Sequence, residues 1–582
     1  MTELAITFNG SPVLSMGNLV SGEVETATNL PSRFRLVFTD PSHTMVGTLG
    51  VSPGTATSIS SGDTVLFVGE VTALEAEYDQ HHGTQVIVRG YDKLHRLQTG
   101  RAAKAFSPDM GIGDIVSMIA SSAGLTPGDT SGAPSSTPPW IGQRDISSWD
   151  LLVGLAEEAG AVISLDDGHV LNFTKPTHTT TAPPPATPEM ASTVENPLQL
   201  VPDTNLLRVR AVASGNQQAT TVEVHAWDTN QNQLVVGTAT AAASSVDATY
   251  TPSAVGGTLN GTKFVDARTG LPDEASASAL ATSLADRLGA AVGEIEGIAK
   301  LTPQMKANVA VSLGNLGAPF DGKYVLSSVR HHFSSKTGNR TFFAAAGRQD
   351  RTILGLTGGA DSANDRKANR FVGVINGIVT DVVDPAGQGR VKVQIPMLDN
   401  EFVVDWARVV SPGAGNNYGA YLPPNVGDEV LMAFENNDMR RPVVLGGLYN
   451  GQKLPALGDS ASLVDNGKFT RRGIVSTAGD MLLFFDGSAK EGISLLTSDK
   501  GLKLSLNKTK MQIAITASSS GAKIMITSDS DITIKSNTGD ISLQGNNVKI
   551  EAQAQLSAKG GAGMSLDGGP SLSAKGGTVS IN

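Results

Sequence analysis

The last ninety or so residues of this chain repeat a short alternating pattern that one chain cannot bury alone. Alternation with a period of two predicts strands with one apolar face, and a fixed repeat predicts one structural unit stacked many times. Each unit offers two or three apolar side chains and no helix to cover them. We therefore expect two further copies of the chain to bury this face. From residue 492 onward the predicted strands start about eight or nine residues apart, at 502–506, 511–515, 523–527, 531–535, 540–543 and 547–550.

The composition favours β-structure with many turns and excludes several kinds of site. Glycine and proline account for 65 and 28 of the 582 residues, whereas aromatic residues make up 5%. The net charge of −11 argues against nucleic acid as the main partner, because a protein that binds the phosphate backbone needs a basic face. The chain has no cysteine, which excludes disulfides, thiolate catalysis and cysteine-based zinc sites.

The N-terminus shows no basic region followed by an apolar core, so no signal peptide is visible. No apolar stretch approaches the roughly twenty residues that are needed to span a bilayer. We expect the protein to be made and assembled in a bacterial cytoplasm. If it leaves the cell, we expect a route that reads no N-terminal signal.

The pattern along the chain predicts a mainly β protein with a few helices. Strands with a helical insertion occupy 1–174, and a second strand-rich part occupies 193–357. A stretch rich in proline and threonine separates them at 175–192, as a linker or an extended surface loop. The remaining predicted segments are a polar linker at 358–370, a compact β-module at 371–450, a connector at 451–491 and the repeats at 492–582.

The module at 371–450 carries the most specific pattern, and we call it the OB module. Five short strands without a helix in about eighty residues suit an OB-type barrel. A tight glycine turn enters the fourth strand, and an Arg-Pro pair starts the fifth. The residues that carry this motif are Trp406, Gly427, Asp428, Glu429, Arg441, Pro442, Gly446, Tyr449 and Asn450.

This motif resembles the spike barrel of VgrG proteins and of contractile phage tail spikes. The hairpin before the last strand departs from the Gly-Asp-Pro-Asp-Arg-Pro form of many VgrG sequences, because 436–442 reads Asn-Asn-Asp-Met-Arg-Arg-Pro. Residues 1–350 more loosely resemble the VgrG-related spikes of extracellular contractile injection systems. The resemblance implies an OB-fold collar and two tube-like β-barrel hub domains per chain. In a trimer, those barrels would give a pseudo-sixfold hub that docks on a sixfold inner tube.

The same resemblance implies that the C-terminal repeats form a trimeric intertwined β-helix, a triangular β-prism. Alternate apolar residues would then face a shared axis, and lysine and acidic side chains would face solvent. At the tip, Val579 and Ile581 would form a docking platform. The predicted trimer core consists of Ile524, Ile526, Ile532, Ile534, Ile541, Leu543, Val548 and Ile550.

The sequence offers no candidate catalytic, cofactor-binding or metal-binding residue. Adjacent residues in a strand point to opposite faces, so the pairs His81-His82 and His331-His332 are expected in surface or loop positions rather than at one metal. The acidic pairs at 157–158 and 166–167 are expected on solvated surface. The glycine-rich turns at 560–563 and 568–569 lack the lysine and the helix of a phosphate loop.

We interpret the chain as a non-enzymatic homotrimeric spike and hub at the front of a contractile injection particle, either released from the cell or anchored in a membrane. The implied partners are two further copies, inner tube and baseplate components, a PAAR-like tip protein, cargo effectors and the target cell envelope. Two alternatives stay open. One is a spike with cell-wall hydrolase or toxin activity, which the short 451–491 connector and the strand-like end at Asn582 disfavour. The other is a trimeric β-helical fibre adhesin, which the barrel motif disfavours.

Overall fold

The computed structural model describes residues 4–581 except 82, 108–109, 136–139, 188–194, 216–217, 260–262, 268–269, 272, 347–370 and 458–462. The chain forms two compact units, Met1–Lys453 and Leu454–Asn582. As expected, the described parts are mainly β with few helices. The α-helices are Met45–Leu49, Ile112–Ser122, Ser148–Ala159, Pro252–Thr258 and Glu274–Gly289, and the 3-10 helices are Met16–Asn18, Lys93–Gln98, Thr179–Thr181, Ala290–Val292 and Glu435–Asn437.

An antiparallel sheet of eleven strands organises the first unit. Its central pairing places Gly22 opposite Phe333, about three hundred residues apart in the chain. Strands from the predicted segments 1–174 and 193–357 therefore belong to one continuous sheet. In spatial order the strands are Leu206–Ala213, Gly293–Lys300, Arg340–Ala345, Ser328–Ser334, Leu19–Ala27, Leu30–Thr39, Gly83–Tyr91, Thr64–Asp79, Ala56–Ser61, Leu4–Phe8 and Ser11–Pro12.

One face of this sheet is apolar and forms a core. Leu36, Phe38 and Phe333 have no solvent-exposed surface, and they pack in one cluster with Ile59 and Val88. Removing such side chains from water is the main favourable contribution to folding, at about 25 cal/mol per Å2 of apolar area. The opposite face carries charged side chains.

Smaller sheets surround the large one. Their strands are Ala102–Phe106 with Ile141–Ile146; Thr126–Pro127, Val162–Leu165 and Val170–Thr174; Gln199–Leu200, Val246–Ala248, Ala310–Leu313 and Gly322–Val325; and Thr221–Asp228, Gln233–Thr240 and Phe264–Ala267.

The helix Ser148–Ala159 begins after a serine cap and ends at a glycine. The Ser147 hydroxyl accepts a hydrogen bond from the Asp150 amide at 3.0 Å, and Gly160 ends the helix with a φ of 67°. The buried face includes Leu151 and Leu152. Because this face is held in the core, the orientation of the helix is fixed, and so is the position of Glu158 on it.

The helix Glu274–Gly289 lies directly on the strand Gln233–Thr240. A Cβ atom on Gly237 would lie 2.1 Å from the Ala277 carbonyl carbon, so only glycine permits this approach. Small residues on the helix, among them Ala281, complete the contact. Close backbone packing thus replaces the bulky side chains that this composition lacks.

Residues 175–187 lie in an ordered segment along the surface of the first unit. The Thr179 amide donates to the Ser244 carbonyl at 2.9 Å, and Thr179 itself is buried. The hydroxyl of Ser312 donates to the Pro184 carbonyl at 3.2 Å. Residues 188–194 and the predicted linker 358–370 lie outside the described residues, and the segment boundaries stay predictions.

The OB module contains a five-stranded sheet around its own core. Val393, Ile395, Phe402, Val430 and Met432 are completely buried there. In spatial order the strands are Lys392–Gln394, Ile375–Asp381, Glu429–Phe434, Pro442–Gly447 and Arg408–Val409, and a separate hairpin joins Ala414–Gly415 to Tyr418–Gly419.

The second unit begins with a small hairpin and continues as a five-stranded antiparallel meander. The meander already starts inside the predicted connector 451–491. Its last two strands match two of the predicted repeats. The hairpin joins Val464–Asp465 to Lys468–Phe469, and the meander consists of Arg471–Val475, Met481–Gly487, Lys490–Leu496, Leu502–Asn507 and Gln512–Ala517.

The strands predicted after residue 517 are absent from this chain as described. From 518 to 581 no residue is assigned to a strand, and the side chains are almost all exposed. The Ser518 amide still donates to the Gly501 carbonyl at 2.8 Å, and after it the backbone hydrogen bonds of this stretch are confined to turns such as that from Ala522 to Ser519 at 3.0 Å. The single chain therefore does not form the predicted β-prism, because it supplies no neighbouring strand for these repeats.

The expectation of a surface or loop position is wrong for His331. This residue lies in the strand Ser328–Ser334, and 2% of its surface is exposed. Its ring nitrogens lie 3.1 Å from the Thr341 hydroxyl and 2.9 Å from the Met305 carbonyl. Burial lowers the pKa of His331 to about 4. His332, in contrast, is partly exposed and lies 3.0 Å from Glu23, and His81 is exposed.

We expect the buried neutral His331 to make the first unit sensitive to acid. Because its folded pKa lies below the unfolded value, the unfolded chain binds more protons between pH 6.5 and about 4. Relative to a His331→Gln variant, the wild type should lose about 3 kcal/mol of unfolding free energy over that interval. All four tryptophans lie before residue 454, so tryptophan fluorescence during denaturant unfolding reports this unit. The same pH dependence in both proteins would contradict the prediction.

Candidate functional site

The OB module is fastened to the rest of the first unit by a buried arginine. The guanidinium of Arg440 donates to Glu158 at 3.2 and 3.3 Å and to Asp438 at 2.8 Å. Only 8% of the Arg440 side chain is exposed. Burial lowers the pKa of Arg440, and the two carboxylates raise it. The effect of the carboxylates is the larger, so the pKa lies above its usual range. The arginine is therefore a permanent charge between two carboxylates.

This ion pair corrects one expectation about acidic residues. Glu158 is half-buried and bonded to Arg440, so it does not belong to a solvated helix face. Asp166 and Asp167 are exposed, as expected. A buried charge that loses a partner is costly, so the Glu158–Arg440 contact restricts how the module can move against the helix Ser148–Ala159.

Arg441 of the predicted motif makes a second, different contact. Its guanidinium donates to the backbone carbonyls of Trp227 at 3.4 Å and Leu271 at 3.2 Å, and to the Thr229 hydroxyl at 3.2 Å. Burial lowers the pKa of Arg441. The planar group thus spans two separate backbone segments, which a lysine could not do with the same geometry. Pro442, the next residue, is buried and starts the last strand of the module.

Trp140 extends from the N-terminal part into the core of the OB module. Its indole N–H donates to the Val403 carbonyl at 3.2 Å, and its ring meets Phe402 edge-on with centroids 5.8 Å apart. Only 2% of Trp140 is exposed. Trp140 is not among the residues that the sequence motif predicts. In the sequence, a single tryptophan that follows two prolines in a polar stretch is the one sign that this residue is buried.

Four other motif residues lie at the turn that leads into the strand Glu429–Phe434. Gly427 has a φ of 84°, a conformation that favours glycine, and it leads into the strand Glu429–Phe434. Asn450 donates to Glu429 at 2.6 Å, and Lys453 donates to Asp428 at 2.7 Å. Hydrogen bonds from Asn450 and Asn376 lower the pKa of Glu429.

The remaining motif residues lie apart from this turn. Trp406 is partly buried, with the Lys392 ammonium 5.1 Å from its ring centroid. Tyr449 is 73% exposed, and Gly446 has open space around it. The structure therefore brings together Gly427, Asp428, Glu429 and Asn450 at one turn of the module. Arg441 and Pro442 lie instead where the module contacts the N-terminal part.

The predicted residues of the trimer core and tip are exposed in the second unit. The exposed fraction of the eight core residues ranges from 52% for Ile532 to 69% for Ile534 and Leu543. At the predicted tip, Val579 is 54% and Ile581 is 90% exposed. Exposed apolar residues in such number are typical of an interaction surface.

The described part of the chain shows neither a cluster of metal ligands nor a membrane-spanning helix. No three histidine, aspartate or glutamate side chains there lie close enough together to hold a metal ion. Likewise, no helix there is long and apolar enough to cross a membrane.

Two family models match the sequence. The model for the type VI secretion system/phage-baseplate injector OB domain matches residues 375–449. The model for the Alg8 N-terminal domain matches residues 1–335, which is more than half of the chain.

Curated relatives match through one short region. The type VI secretion system spike protein VgrG3 of Vibrio cholerae is 36% identical over 84 residues, which are 12% of this chain and 8% of the relative. VgrG2a of Pseudomonas aeruginosa is 34% identical over 88 residues, 13% of this chain and 10% of the relative. The chain thus spans about a tenth of the length of these relatives.

Solved structures match over more of the chain. The Escherichia coli type VI secretion component c3393, described as similar to T4 bacteriophage tail proteins gp27 and gp5, has a TM-score of 0.47 at 12% identity and covers 76% of this chain and 99% of that one. A chain of the Francisella PdpA-VgrG complex has a TM-score of 0.49 at 9% identity, covering 89% of this chain and 88% of that one.

The substitution Glu158→Gln should loosen the OB module. It removes one of two carboxylates from a buried guanidinium, and we expect the unfolding free energy to fall by about 2–3 kcal/mol. Asp167→Asn, which changes an exposed carboxylate in the turn that follows, is the matched control and should have almost no effect. Tryptophan fluorescence during denaturant unfolding measures both. Equal midpoints for Glu158→Gln and wild type would refute the role of this pair.

Proposed function

Because this chain belongs to the VgrG and phage-baseplate spike family of contractile injection systems, we propose that three copies form the hub and needle at the front of such a particle. The N-terminal parts would form the pseudo-sixfold hub on the inner tube, the OB modules the collar, and the repeats at 492–582 the needle. The number three comes from the family resemblance. The needle would puncture the target envelope when the sheath contracts.

One observation carries this proposal: the unpaired, apolar repeats of the second unit. Ile524, Ile526, Ile532 and Ile534 recur with a period of two and are all more than half exposed. Their backbone has no strand neighbour in the described chain. Two further copies would supply the hydrogen-bond partners and the apolar cover together. Each apolar Å2 removed from water would contribute about 25 cal/mol.

The fastening of the OB module supports a mechanical role. A spike has to transmit force from the tube through the collar without bending at the joint. Arg440, Arg441 and Trp140 join the module to the N-terminal part by buried contacts of three chemical kinds: an ion pair, bonds to backbone carbonyls and aromatic packing. Each contact resists a different displacement. The joint would then behave as one body under load.

We propose that the protein acts without catalysis. The free energy for penetration would come from sheath contraction, so the spike would need stiffness and no active site. A peptidoglycan zymogram of the purified full chain should stay uncleared. Reproducible clearing would favour a spike with cell-wall hydrolase activity instead. Negative-stain images of the same preparation should show needles with a broad head, and round particles would refute the spike.

The end of the needle is proposed to dock a small conical partner of the PAAR type. Val579 and Ile581 would offer it an apolar seat from each of three copies. A PAAR-like protein encoded beside this gene is the appropriate probe. It should bind the wild type and lose affinity for a Val579→Asp, Ile581→Asp double variant that remains trimeric. Equal binding to both would refute the seat.

Replacing two residues of the predicted trimer core should abolish the trimer. In Ile532→Asp with Ile534→Asp, each copy would place two carboxylates on the shared axis, where burial of a charge is strongly unfavourable. The matched control is Thr533→Asp with Lys535→Asp, which changes the alternate positions of the same repeat and should leave the trimer intact. Light scattering gives the mass of both variants. A trimer from the first double variant would contradict the proposal.

A further inference from the structure

One part of the face of the eleven-stranded sheet opposite its apolar core carries more basic than acidic side chains, in a chain whose net charge is −11. We call it the basic face. It crosses six strands that come from both halves of the N-terminal part. Its acidic members are Glu23, Glu25, Glu294 and Glu296. Its seven basic members are Arg33, Arg35, Arg208, Arg210, Lys300, Arg330 and Arg340.

Strand register places these side chains on one surface, since residues directly opposite each other point to the same face. In one row, Arg33 lies opposite Glu25, Glu25 opposite Arg330, and Arg330 opposite Phe342. Two residues further along, Arg35, Glu23, His332, Arg340 and Lys300 form a second row in the same way. The rows run across the strands, so basic groups recur in two dimensions.

A groove of about 490 Å3 follows the first row. Arg33, Arg208, Arg210 and Arg330 stand along it, with Phe342 in its lining. The Arg330 guanidinium lies 4.6 Å from the centroid of the Phe342 ring. The groove therefore offers an apolar surface between arginine side chains, with Glu25 and Glu296 also in its lining.

Part of the positive charge is compensated and part is not. Arg33 pairs with Glu25 at 2.6 Å, Arg210 lies 3.4 Å from Glu296, and Arg330 lies 3.9 Å from Glu23. Among the residues that the structure describes, no carboxylate lies within ion-pair distance of Arg35, Arg208, Lys300 or Arg340. Arginine forks bind carboxylates with two parallel hydrogen bonds, so these groups are suited to carboxylate ligands.

We propose that the basic face binds an acidic polypeptide segment of a partner protein. The interleaved Glu23, Glu25 and Glu296 would repel a continuous polyphosphate, whereas a polypeptide can place a neutral or basic residue beside each of them. The apolar lining at Phe342 accepts a side chain between the carboxylates. This inference goes beyond the proposed spike function and does not depend on the number of copies.

Labelled decaglutamate is the probe, with decaglutamine as the uncharged comparison. The full chain should raise the fluorescence anisotropy of decaglutamate only, and added salt should weaken this binding. Arg208→Glu with Lys300→Glu, both exposed, should bind about tenfold more weakly, because two attractive charges become repulsive. Lys175→Glu with Lys523→Glu makes the same change in net charge at exposed positions outside the basic face and should bind as the wild type does.

Four results would overturn the proposal. The wild type could fail to bind decaglutamate, or the Arg208/Lys300 variant could bind it with wild-type affinity. An oligonucleotide of similar length could bind more tightly than decaglutamate and lose its binding in the same variant, which would make this a nucleic-acid site. Light scattering could show that the variant has lost the oligomeric state of the wild type, which would make the face a contact between copies. Circular dichroism confirms that each variant is folded.

Discussion

Extended backbone has to find hydrogen-bond partners, and the chain meets this requirement differently in its two units. In the first unit, strands from residues 4–91 and 206–345 complete each other's ladders, with Gly22 opposite Phe333. In the second unit, the meander ends at Ala517, and the repeats that follow have no strand neighbour in the described chain. The same local pattern therefore gives paired strands where distant parts of the chain meet, and unpaired backbone where they do not.

Charged side chains divide in a similar way: some are buried in ion pairs, and others lie on the surface without an ion-pair partner among the described residues. Arg440 is buried between Glu158 and Asp438 and fastens one module. Arg35 and Arg208, in contrast, are presented on a sheet face that carries more basic than acidic side chains. The net charge of −11 describes the whole chain and does not show where positive charges cluster. A basic face therefore exists in an acidic protein.

Several elements could be predicted because their signals are local. Gly160 is a local stop signal for the helix Ser148–Ala159, and Gly427 marks a recognisable turn in the OB module. The family assignment rested on such signals and is confirmed. Burial of His331 was missed, because a histidine pair in a polar sequence gives no sign that Thr341 and Met305 will enclose one of the rings. Trp140 was missed because its partners lie more than 260 residues away.

The sequence by itself determined the β-rich class, the OB module and the period of the C-terminal repeats, because a strand's alternation and a turn's glycine are properties of neighbouring residues. Only the tertiary structure decided that Glu158 pairs with Arg440, that Trp140 enters the module's core and that arginines from distant strands share one face. Those relations depend on the register between segments far apart in the chain. Register is set by how whole sheets bury their apolar sides, and no local pattern contains it.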